Sequence, residues 1–375
     1  MPLGRRAFLS AVGGGLAAAA GLSPGTGRAG PVAALIGCGA EEDGRFVAAG
    51  LDLGGTVAFQ LSLPSRGHGA AFCRTRFETV VFARRPGTFA AVVDAASGGL
   101  RHWIEAVPGR HFYGHGAFSA DGSTLFATEN DYAAGRGVLG VYDAADRYKR
   151  LGEFPSHGVG PHEVRLMPDG VTLAVANGGI RTHPDHDREK LNLESMAPNL
   201  SFVEARTGAL MGQAGLAKPL HKLSIRHIDV NRRGRVAVAM QYEGDRRDAV
   251  PLAGFCDAGG EIHLLHAPAP NERRLRQYTG SIAFDTSGEV LAVSSPRGHV
   301  VTFWDAGTGA YLRQIEATDT SGVVRTGTPG TFLVTGGDGA IRLAEAWTGA
   351  STALRAPNRQ LRWDNHLYPM AEPIS

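Results

Sequence analysis

Five of the 14 histidines in this 375-residue chain occupy the same position of an internal repeat. Each lies just before the apolar stretch that opens its repeat; they are His68, His115, His162, His227 and His366. Imidazole is the commonest metal ligand, and three or more imidazoles with a carboxylate suit iron, copper or zinc better than calcium or magnesium. Histidines placed at random would not keep the register of a repeat. The architecture that the repeat builds must therefore explain them.

The repeat has the period of a β-propeller blade. Seven comparable openings lie along the chain, at His68, His115, His162, His227, Gly280–Phe284, Gly322 and His366. The first three are 47 residues apart, and periods of about 40 to 50 residues are typical of propellers. Between the openings, short alternating runs such as Thr124–Thr128 follow Asp-Gly or similar turns such as Ala120–Gly122, so each repeat predicts four strands.

We therefore predict an all-β fold, a seven-bladed propeller with four-stranded blades, in which residues 30–375 form a single domain. The C-terminal stretch Leu361–Tyr368 is expected to be an inner strand of the blade begun by Arg45–Ala49 and Thr56–Gln60. Such closure, with N- and C-terminal strands sharing one blade, removes an exposed sheet edge.

Residues 1–29 have the features of a twin-arginine signal peptide. Arg5 and Arg6 precede the weakly apolar run Ala11–Ala20, and a small-residue region ends near Ala29. A transmembrane anchor is disfavoured because the run is short and rich in Ala and Gly. We expect a periplasmic protein that is exported folded and has no transmembrane anchor.

Composition excludes some functions and leaves others open. The formal net charge is +2, and no basic run is interleaved with aromatic residues, so we expect no nucleic-acid partner. Cys38, Cys73 and Cys256 lack the spacing of a zinc site. They could form one disulfide with one free thiol, or be three buried thiols that pack as small apolar residues.

On a propeller, the five histidines are expected to lie close to one another. The first strand of each blade lines the central channel, so residues at its start converge at one mouth. Glu163 and Arg226 adjoin two of the histidines and could complete or support a metal site. Three residues at the ends of second strands are expected at the same face: Glu129, Asn177 and Tyr242.

The register of the five histidines is imperfect. His115 and His227 lie three residues before an apolar anchor, whereas His68 and His162 lie four before theirs. Adjacent strand residues face opposite sides, so all five can converge only where the backbone is irregular. We expect His115, His162, His227 and His366 to be the ligands, with His68 as a further candidate. A structural hydrogen-bond network, as in WD-repeat propellers, and a polar channel without a ligand are the alternatives.

A polar segment of about 20 residues interrupts the fourth repeat at Gly178–Leu200. Long insertions on a compact scaffold are often lids or binding loops, and this one is expected above the channel mouth. His183 and Asp185 could add ligands there, or could form a solvated turn around Pro184.

Several motifs together resemble domain-of-unknown-function family fifteen-thirteen, and the similarity spans nearly all of the mature chain. They are Tyr113–His115, Thr182–Asp185, Arg188, Lys190–Leu193, Met196, Leu223–His227, Gln241–Gly244 and Pro251–Leu252. Asp187 and Asn199 depart from it, since glycine and serine are usual at those places.

The resemblance implies a twin-arginine-exported bacterial propeller without an established reaction. Genes of this family commonly lie beside those for imelysin-type proteins and a di-haem oxidoreductase-like protein, which implies iron acquisition in the cell envelope. The resemblance supplies no catalytic residues. It favours iron as the cofactor, with copper as the alternative, and a metal ion or metal chelate, imelysin-like proteins and di-haem envelope proteins as partners.

Three functions are compatible with these observations. The first is a periplasmic metal-binding protein of iron acquisition. The second is a metal-dependent oxidoreductase that uses copper or iron at the same histidines. The third is a metal-free scaffold that presents one propeller face to an iron-uptake partner.

Overall fold

Each of the seven repeats folds into one four-stranded antiparallel sheet, and the seven sheets are the blades of a β-propeller. The computed structural model describes residues 32–186, 189–257, 260–356 and 360–370. The predicted fold is confirmed. The predicted leader, residues 1–29, lies outside the described residues.

The strands follow one another in blade order. Blade 1 contains β1 (Leu35–Glu41), β2 (Phe46–Leu51) and β3 (Val57–Leu63), and blade 2 contains β4 (Gly67–Cys73), β5 (Glu78–Ala83), β6 (Phe89–Asp94) and β7 (Leu100–Glu105). Blade 3 contains β8 (Arg110–Phe118), β9 (Thr124–Asp131), β10 (Arg136–Asp143) and β11 (Lys149–Pro155), and blade 4 contains β12 (Pro161–Leu166), β13 (Thr172–Asn177), β14 (Asn199–Glu204) and β15 (Leu210–Gly215).

The remaining blades continue the pattern. Blade 5 contains β16 (Leu223–Val230), β17 (Val236–Tyr242), β18 (Ala253–Cys256) and β19 (Ile262–Leu265), and blade 6 contains β20 (Ser281–Phe284), β21 (Val290–Ser295), β22 (Val300–Asp305) and β23 (Tyr311–Glu316). Blade 7 contains β24 (Thr320–Arg325), β25 (Thr331–Gly336), β26 (Ile341–Glu345) and β27 (Ser351–Arg355), and β28 (Leu361–Pro369) returns to blade 1.

The Asp-Gly turns form as their sequence predicts. In blade 3 the Asp121 carboxylate accepts hydrogen bonds from the Ser119 hydroxyl and from the backbone N–H of Ser123. Gly122 has a φ of 72°, in the left-handed region that favours glycine. Turns of this kind return each inner strand against its neighbour.

Strand β28 closes the ring. It pairs with β1 and forms the inner strand of blade 1, while β2 and β3 lie outside. The two ends of the described chain therefore share one sheet, as predicted.

The apolar core is divided among the blade interfaces. Seven clusters of buried side chains occur in the described chain, and each lies between two neighbouring blades. Trp304 and Phe284 at one interface, and Phe82 and Phe112 at another, are among the largest fully buried side chains. Face-to-face packing of blades thus holds the inner strands in a fixed ring.

Helical structure is short. One α-helix, α1 (Ala269–Arg274), precedes blade 6, and single 3-10 turns occur at Pro184–His186, Leu193–Ser195 and Lys218–Leu220. Within the described part of the chain, no helix is long and apolar enough to cross a lipid bilayer.

The three cysteines, Cys38, Cys73 and Cys256, are buried free thiols. Of the two possibilities left open by the sequence, the structure therefore shows the one without a disulfide.

Candidate metal centre

The five repeat histidines all lie on inner strands and meet at the axis of the ring. His366 belongs to blade 1, and blades 2 to 5 supply His68, His115, His162 and His227 in that order. We call this group the histidine cluster. Its members therefore come from five consecutive blades, while blades 6 and 7 carry no histidine at this level.

A β-bulge adjoins every histidine of the cluster. The register between the first two strands shifts between Gly67 and Ala70 in blade 2, and between Phe112 and Gly116 in blade 3. Blades 4, 5 and 1 have equivalent shifts next to their histidines. A bulge re-aims the side chain beside it. The irregular backbone explains how histidines three and four residues from their anchors face the same point.

Blades 6 and 7 lack a histidine for different reasons. Strand β20 keeps a regular register from Ser281 to Phe284. Strand β24 does have a bulge between Thr320 and Val323, but the residues there are Ser321 and Gly322. A bulge is therefore present in every blade that carries a histidine, and it is not confined to those blades.

The rings are in close contact. The shortest distance between ring centroids is 4.4 Å, between His227 and His366, and the longest recorded is 6.5 Å, between His68 and His227. His68, which the sequence left as a further candidate, lies 4.9 Å from His115 and 4.7 Å from His366. It belongs to the cluster as fully as the other four.

Two overlapping groups of three have ligand geometry. The imidazole nitrogens of His68, His115 and His162 lie within 4.8 Å of one another, and so do those of His115, His227 and His366. His115 is common to both groups. Either group could hold a metal ion.

Two glycines make room for the close contact between the rings of His68 and His115. A Cβ atom on Gly69 would lie 2.5 Å from the Gly114 carbonyl oxygen and 2.7 Å from His115 Nδ1. A Cβ on Gly114 would lie 2.6 Å from His68 Cδ2, and Gly114 also has a φ of 109°. The Gly-His-Gly sequence of blade 2 and the Gly-His pair of blade 3 are thus explained by close approach of two blades.

Most of the cluster nitrogens have no hydrogen-bond partner. Seven buried imidazole nitrogens are unpartnered: both nitrogens of His68 and His227, Nε2 of His115 and His366, and Nδ1 of His162. A buried polar atom without a partner costs about 1 to 3 kcal/mol. Each neutral imidazole has one lone pair and one N–H, and a metal ion among the rings would accept the lone pair of each ring that binds it, so this donor set fits a metal.

Burial keeps the imidazoles neutral. It lowers the pKa of His227 and His366 to about 3, and it holds the pKa of His68, His115 and His162 well below the ordinary value. Positive charges nearby add to the effect, since Arg226 and Arg165 both disfavour protonation of His227. Neutral imidazole is the form that binds a metal.

Glu163 and Tyr368 adjoin the cluster. Tyr368 Oη shares a hydrogen bond of 2.8 Å with His115 Nδ1, and when the Nδ1–H is the donor the lone pair of His115 is on Nε2. Glu163 Oε2 lies 3.4 Å from His227 Nδ1, and Glu163 Oε1 lies 2.9 Å from Arg165. The Arg165 guanidinium also lies 5.2 Å from the ring centroid of Tyr368. A hydrogen-bond partner such as Tyr368 fixes ring orientation at a metal site, whereas Glu163 lies near His227 as a charge without a hydrogen bond to it.

Asp364 adjoins His68. Its carboxylate accepts two hydrogen bonds from the Arg66 guanidinium, and it lies 4.0 Å from His68 Nδ1. The side chain of Asp364 is buried, so the arginine offsets the cost of burying its charge.

Two cavities meet at the cluster. The larger, about 1350 Å³, is lined by His68, His162 and His227; we call it the upper cavity. The smaller, about 420 Å³, is lined by His227, His366 and Tyr368; we call it the lower cavity. The first group of three histidines therefore adjoins the upper cavity, and the second adjoins the lower one.

Two residues predicted near the histidines lie next to them. Glu163 Oε1 lies 3.8 Å from His115 Nδ1, and Glu163 Oε2 lies 3.4 Å from His227 Nδ1. Arg226 lines the upper cavity, and its guanidinium lies 3.8 Å from Glu243. Tyr242 also lines the upper cavity, but its hydroxyl donates to Asp248, outside the cluster.

The structure does not bring Glu129 or Asn177 to the cluster. The Glu129 carboxylate accepts hydrogen bonds from Tyr142 and Arg150 within blade 3. The Asn177 amide donates to Asn199 Oδ1 and Ser201 Oγ on β14 of blade 4. Strand ends do lie at this face, but both side chains are occupied inside their own blades.

His183 and Asp185 also lie apart from the cluster. The His183 ring packs against Tyr132, and Asp185 is exposed, with its backbone N–H donating to His183 Nδ1. This is the solvated turn around Pro184. Another residue of the same insertion, Lys190, does line the upper cavity.

Sequence reasoning missed Tyr368, Arg165 and Asp364. A signal for two of them was available, because Asp364 and Tyr368 lie two residues on either side of His366, and alternate strand residues share a face. Arg165 relates to Glu163 in the same way. Their roles depend on the bulges, which no local pattern predicts.

Comparison with known proteins identifies the fold and a family. The family model described as "Protein of unknown function (DUF1513)" matches residues 61–370. No curated protein matches the chain. Because 1417 chains of solved structures match it, the fold is too widespread to indicate a reaction.

Two solved structures illustrate the likeness. A chain of Kuenenia stuttgartiensis hydrazine synthase is 16% identical, with a TM-score of 0.58, over 90% of this chain and 99% of that one. The Cps50 (Swd1) β-propeller domain of Myceliophteria thermophila is 15% identical, with a TM-score of 0.56, over 82% of this chain and 94% of that one. At such identities the likeness concerns the fold alone.

The buried neutral histidines predict acid sensitivity of the metal-free protein. Below pH 6.5 the histidines of the unfolded chain take up protons, whereas His227 and His366 stay neutral until the pH approaches 3, and the pKa values of the other three cluster histidines are also well below the ordinary value. The unfolded state then binds more protons, so the free energy of unfolding falls as the pH falls, by about 1.4 kcal/mol per pH unit for each histidine. Denaturant titrations at pH 8, 7, 6 and 5.5 measure this slope.

A matched pair of variants assigns the slope to the cluster. His227→Gln should reduce the dependence of the unfolding free energy on pH by about the contribution of one histidine. His263→Gln, at an exposed position of β19, should leave it unchanged. Equal stability at pH 7 and pH 5.5 in the metal-free wild type would contradict the expectation.

Proposed function

The chain belongs to the DUF1513 family, whose function is unknown, and we propose that it is a metal-binding protein whose ion lies in the histidine cluster. One observation carries the proposal: five neutral imidazoles, four of them buried and that of His162 partly buried, meet with seven buried nitrogens that have no hydrogen-bond partner. Two groups of three already have nitrogens within 4.8 Å of one another.

The same observation disfavours a structural hydrogen-bond network. A network would pair the imidazole nitrogens with backbone or hydroxyl groups, and only His115 shows such a partner within the cluster, the Tyr368 hydroxyl. Metal binding satisfies lone pairs that the protein leaves unpaired.

Residues around the cluster would support a bound ion. The Glu163 carboxylate, 3.4 Å from His227, would offset positive charge added to the site. The Tyr368 hydroxyl holds the His115 ring in one orientation. Arg165 in turn holds Glu163 in place.

We propose iron as the ion, with copper as the alternative. The donor set of nitrogen atoms and one nearby carboxylate suits both, and it does not suit calcium or magnesium. The preference for iron rests on the family resemblance, which implies iron acquisition. The experiment below therefore compares the two metals directly.

Metal titration of cluster variants tests the proposal. Wild-type protein freed of metal should bind one Fe(II), under anaerobic conditions, or one Cu(II) per chain, measured by calorimetry and by elemental analysis after dialysis. His115→Ala removes the ligand common to both groups. Loss of a ligand's supporting partner alone costs about 10- to 100-fold in affinity, so this variant should bind at least about 100-fold more weakly.

Single variants of the two groups identify the site that is used. If the ion lies near the upper cavity, His68→Ala should weaken binding and His366→Ala should not; the reverse places it near the lower cavity. His263→Ala is the control at an exposed position. Absence of saturable binding in the wild type, or equal binding in His115→Ala, would reject the metal site and leave the metal-free scaffold as the function.

A metal-dependent oxidoreductase is the second candidate. The upper cavity reaches His68, His162 and His227, so an ion at these residues would be accessible to small molecules. Catalytic sites keep such an open coordination position. Azide added to Cu(II)-loaded protein should change its absorption and electron paramagnetic resonance spectra if the position is open; unchanged spectra at saturating azide reject this candidate.

We propose that the protein acts in the periplasm after twin-arginine export, with imelysin-like or di-haem envelope proteins as partners. Arg5 and Arg6 and the following apolar run support export, and the family resemblance supports the partners. An Arg5→Lys/Arg6→Lys variant should accumulate unprocessed in the cytoplasm. Normal processing of this variant, or export only in unfolded form, would reject the route.

A further inference from the structure

The upper cavity is strongly basic. Among the residues that the structure describes, ten Lys and Arg residues and four Asp and Glu residues line it. The whole chain is nearly balanced, with 38 basic and 36 acidic residues. About a quarter of the basic residues therefore surround one cavity, although composition alone indicates no preferred partner.

These basic residues come from several blades. Arg84 follows β5 of blade 2, Lys190 belongs to the insertion of blade 4, and Arg246 follows β17 of blade 5. Arg276 follows α1, and Arg297 follows β21 of blade 6. These residues are far apart in sequence and lie together only in the folded protein. The accumulation of positive charge is therefore a property of the folded ring.

Several of these charges lack an acidic partner. Arg246, Arg273 and Arg276 are exposed and form no ion pair with any residue that the structure describes. By contrast, Lys190 pairs with Glu243, and Arg66 pairs with Asp364. Ordinary surface arginines gain little from pairing, but several unpaired ones around one concavity create a field that attracts anions.

The basic cavity leads directly to the cluster. Arg226 lies in the cavity wall next to His227 in sequence, its side chain is only 11% exposed, and its Nε atom has no hydrogen-bond partner. His68, His162 and His227 line the same cavity. A ligand that fills the cavity would therefore contact both a buried guanidinium and the imidazoles.

The lower cavity provides the contrast. Three acidic residues, Glu163, Asp229 and Asp285, are matched there by three arginines, Arg165, Arg232 and Arg325. Two cavities thus adjoin one cluster, and only the upper one has an excess of positive charge.

We propose that the upper cavity binds a small multivalent oxyanion, bearing carboxylate or phosphate groups, directly against the histidine cluster. Guanidinium groups pair with both oxyanions through two parallel hydrogen bonds. A cavity of about 1350 Å³ exceeds the size of ordinary small-molecule sites, so a chelator such as a hydroxycarboxylate fits together with its metal. The anion site deepens the proposed function, but its existence does not require the metal.

A bare cation would meet a repulsive field in this cavity, whereas an anionic complex would be attracted. Oxygen atoms of the anion that reach the cavity floor would lie beside the imidazoles that adjoin it. The substrate class that follows is a metal held by an anionic oxygen chelator.

Calorimetric titration of metal-free protein with citrate, and separately with pyrophosphate, tests the anion site. The variant Arg246→Gln/Arg273→Gln/Arg276→Gln removes three exposed charges of the cavity without touching a cluster residue. The control Arg74→Gln/Arg147→Gln/Arg206→Gln removes three exposed charges elsewhere. The two variants have the same net charge, so a difference between them reflects position.

We expect the wild type to bind one anion per chain with an affinity that falls as salt rises. The cavity variant should bind about tenfold or more weakly, and the control should bind as the wild type does. Tighter citrate than pyrophosphate assigns the site to carboxylates, and the reverse assigns it to phosphates. Absence of saturable binding of either anion by the wild type, or equal binding by the two variants, overturns the proposal.

The same variants separate this proposal from the metal proposal. When no chelator is present, the cavity variant should bind Fe(II) or Cu(II) at least as tightly as the wild type does, because the removed arginines repel a bare cation. His115→Ala should retain the anion affinity of the metal-free wild type. Failure of the metal titration together with success of the anion titration would leave an anion-binding propeller, and the opposite pattern would leave a metal site without an anionic ligand.

Discussion

The removal of five imidazoles from water at the axis of the ring is the interaction on which the other features of the site depend. Burial is the largest influence on the pKa of each cluster histidine, and it keeps all five imidazoles neutral. Five positive charges on rings whose centroids come as close as 4.4 Å could not share this volume. The closed ring is required for such burial, since β28 supplies both His366 and the inner strand that joins blade 1 to blade 7. The seven apolar clusters between blades then hold the inner strands in place.

The predictable part of the molecule is the part that repeats. A 47-residue spacing and Asp-Gly turns predict seven blades, and the position of the histidines on inner strands follows from the repeat. Their convergence does not, because it depends on bulges that shift one side chain without changing the apolar pattern. Glu129 shows that a residue predicted at the channel from its position can lie elsewhere. Its position at a strand end suggested the channel, but Tyr142 and Arg150 supply partners inside the blade. Side-chain competition of this kind is decided by tertiary contacts, which the sequence of one strand does not contain.

The electrostatic organisation of the channel is likewise a property of the fold. A nearly neutral chain acquires a strongly basic upper cavity because loops of several blades place their arginines around one opening. The lower cavity remains balanced because Glu163, Asp229 and Arg165 lie close together below the cluster. The cluster is thus located between two regions of different charge. Neutral imidazoles are suited to that boundary, since they bind a cation through lone pairs and add no positive charge of their own.

The two overlapping groups of histidines lie on different sides of this boundary. His68 and His162 adjoin the upper cavity, His366 adjoins the lower one, and His227 lines both. His115 belongs to both groups, but Tyr368 occupies its Nδ1 atom, so His115 offers one lone pair. One imidazole with one lone pair cannot bind two ions at once. The two groups are therefore alternative positions for a single ion, one nearer the basic cavity and one nearer Glu163. Which position is occupied decides whether an anion in the upper cavity can touch the ion, and the responses of His68 and His366 to substitution distinguish the two.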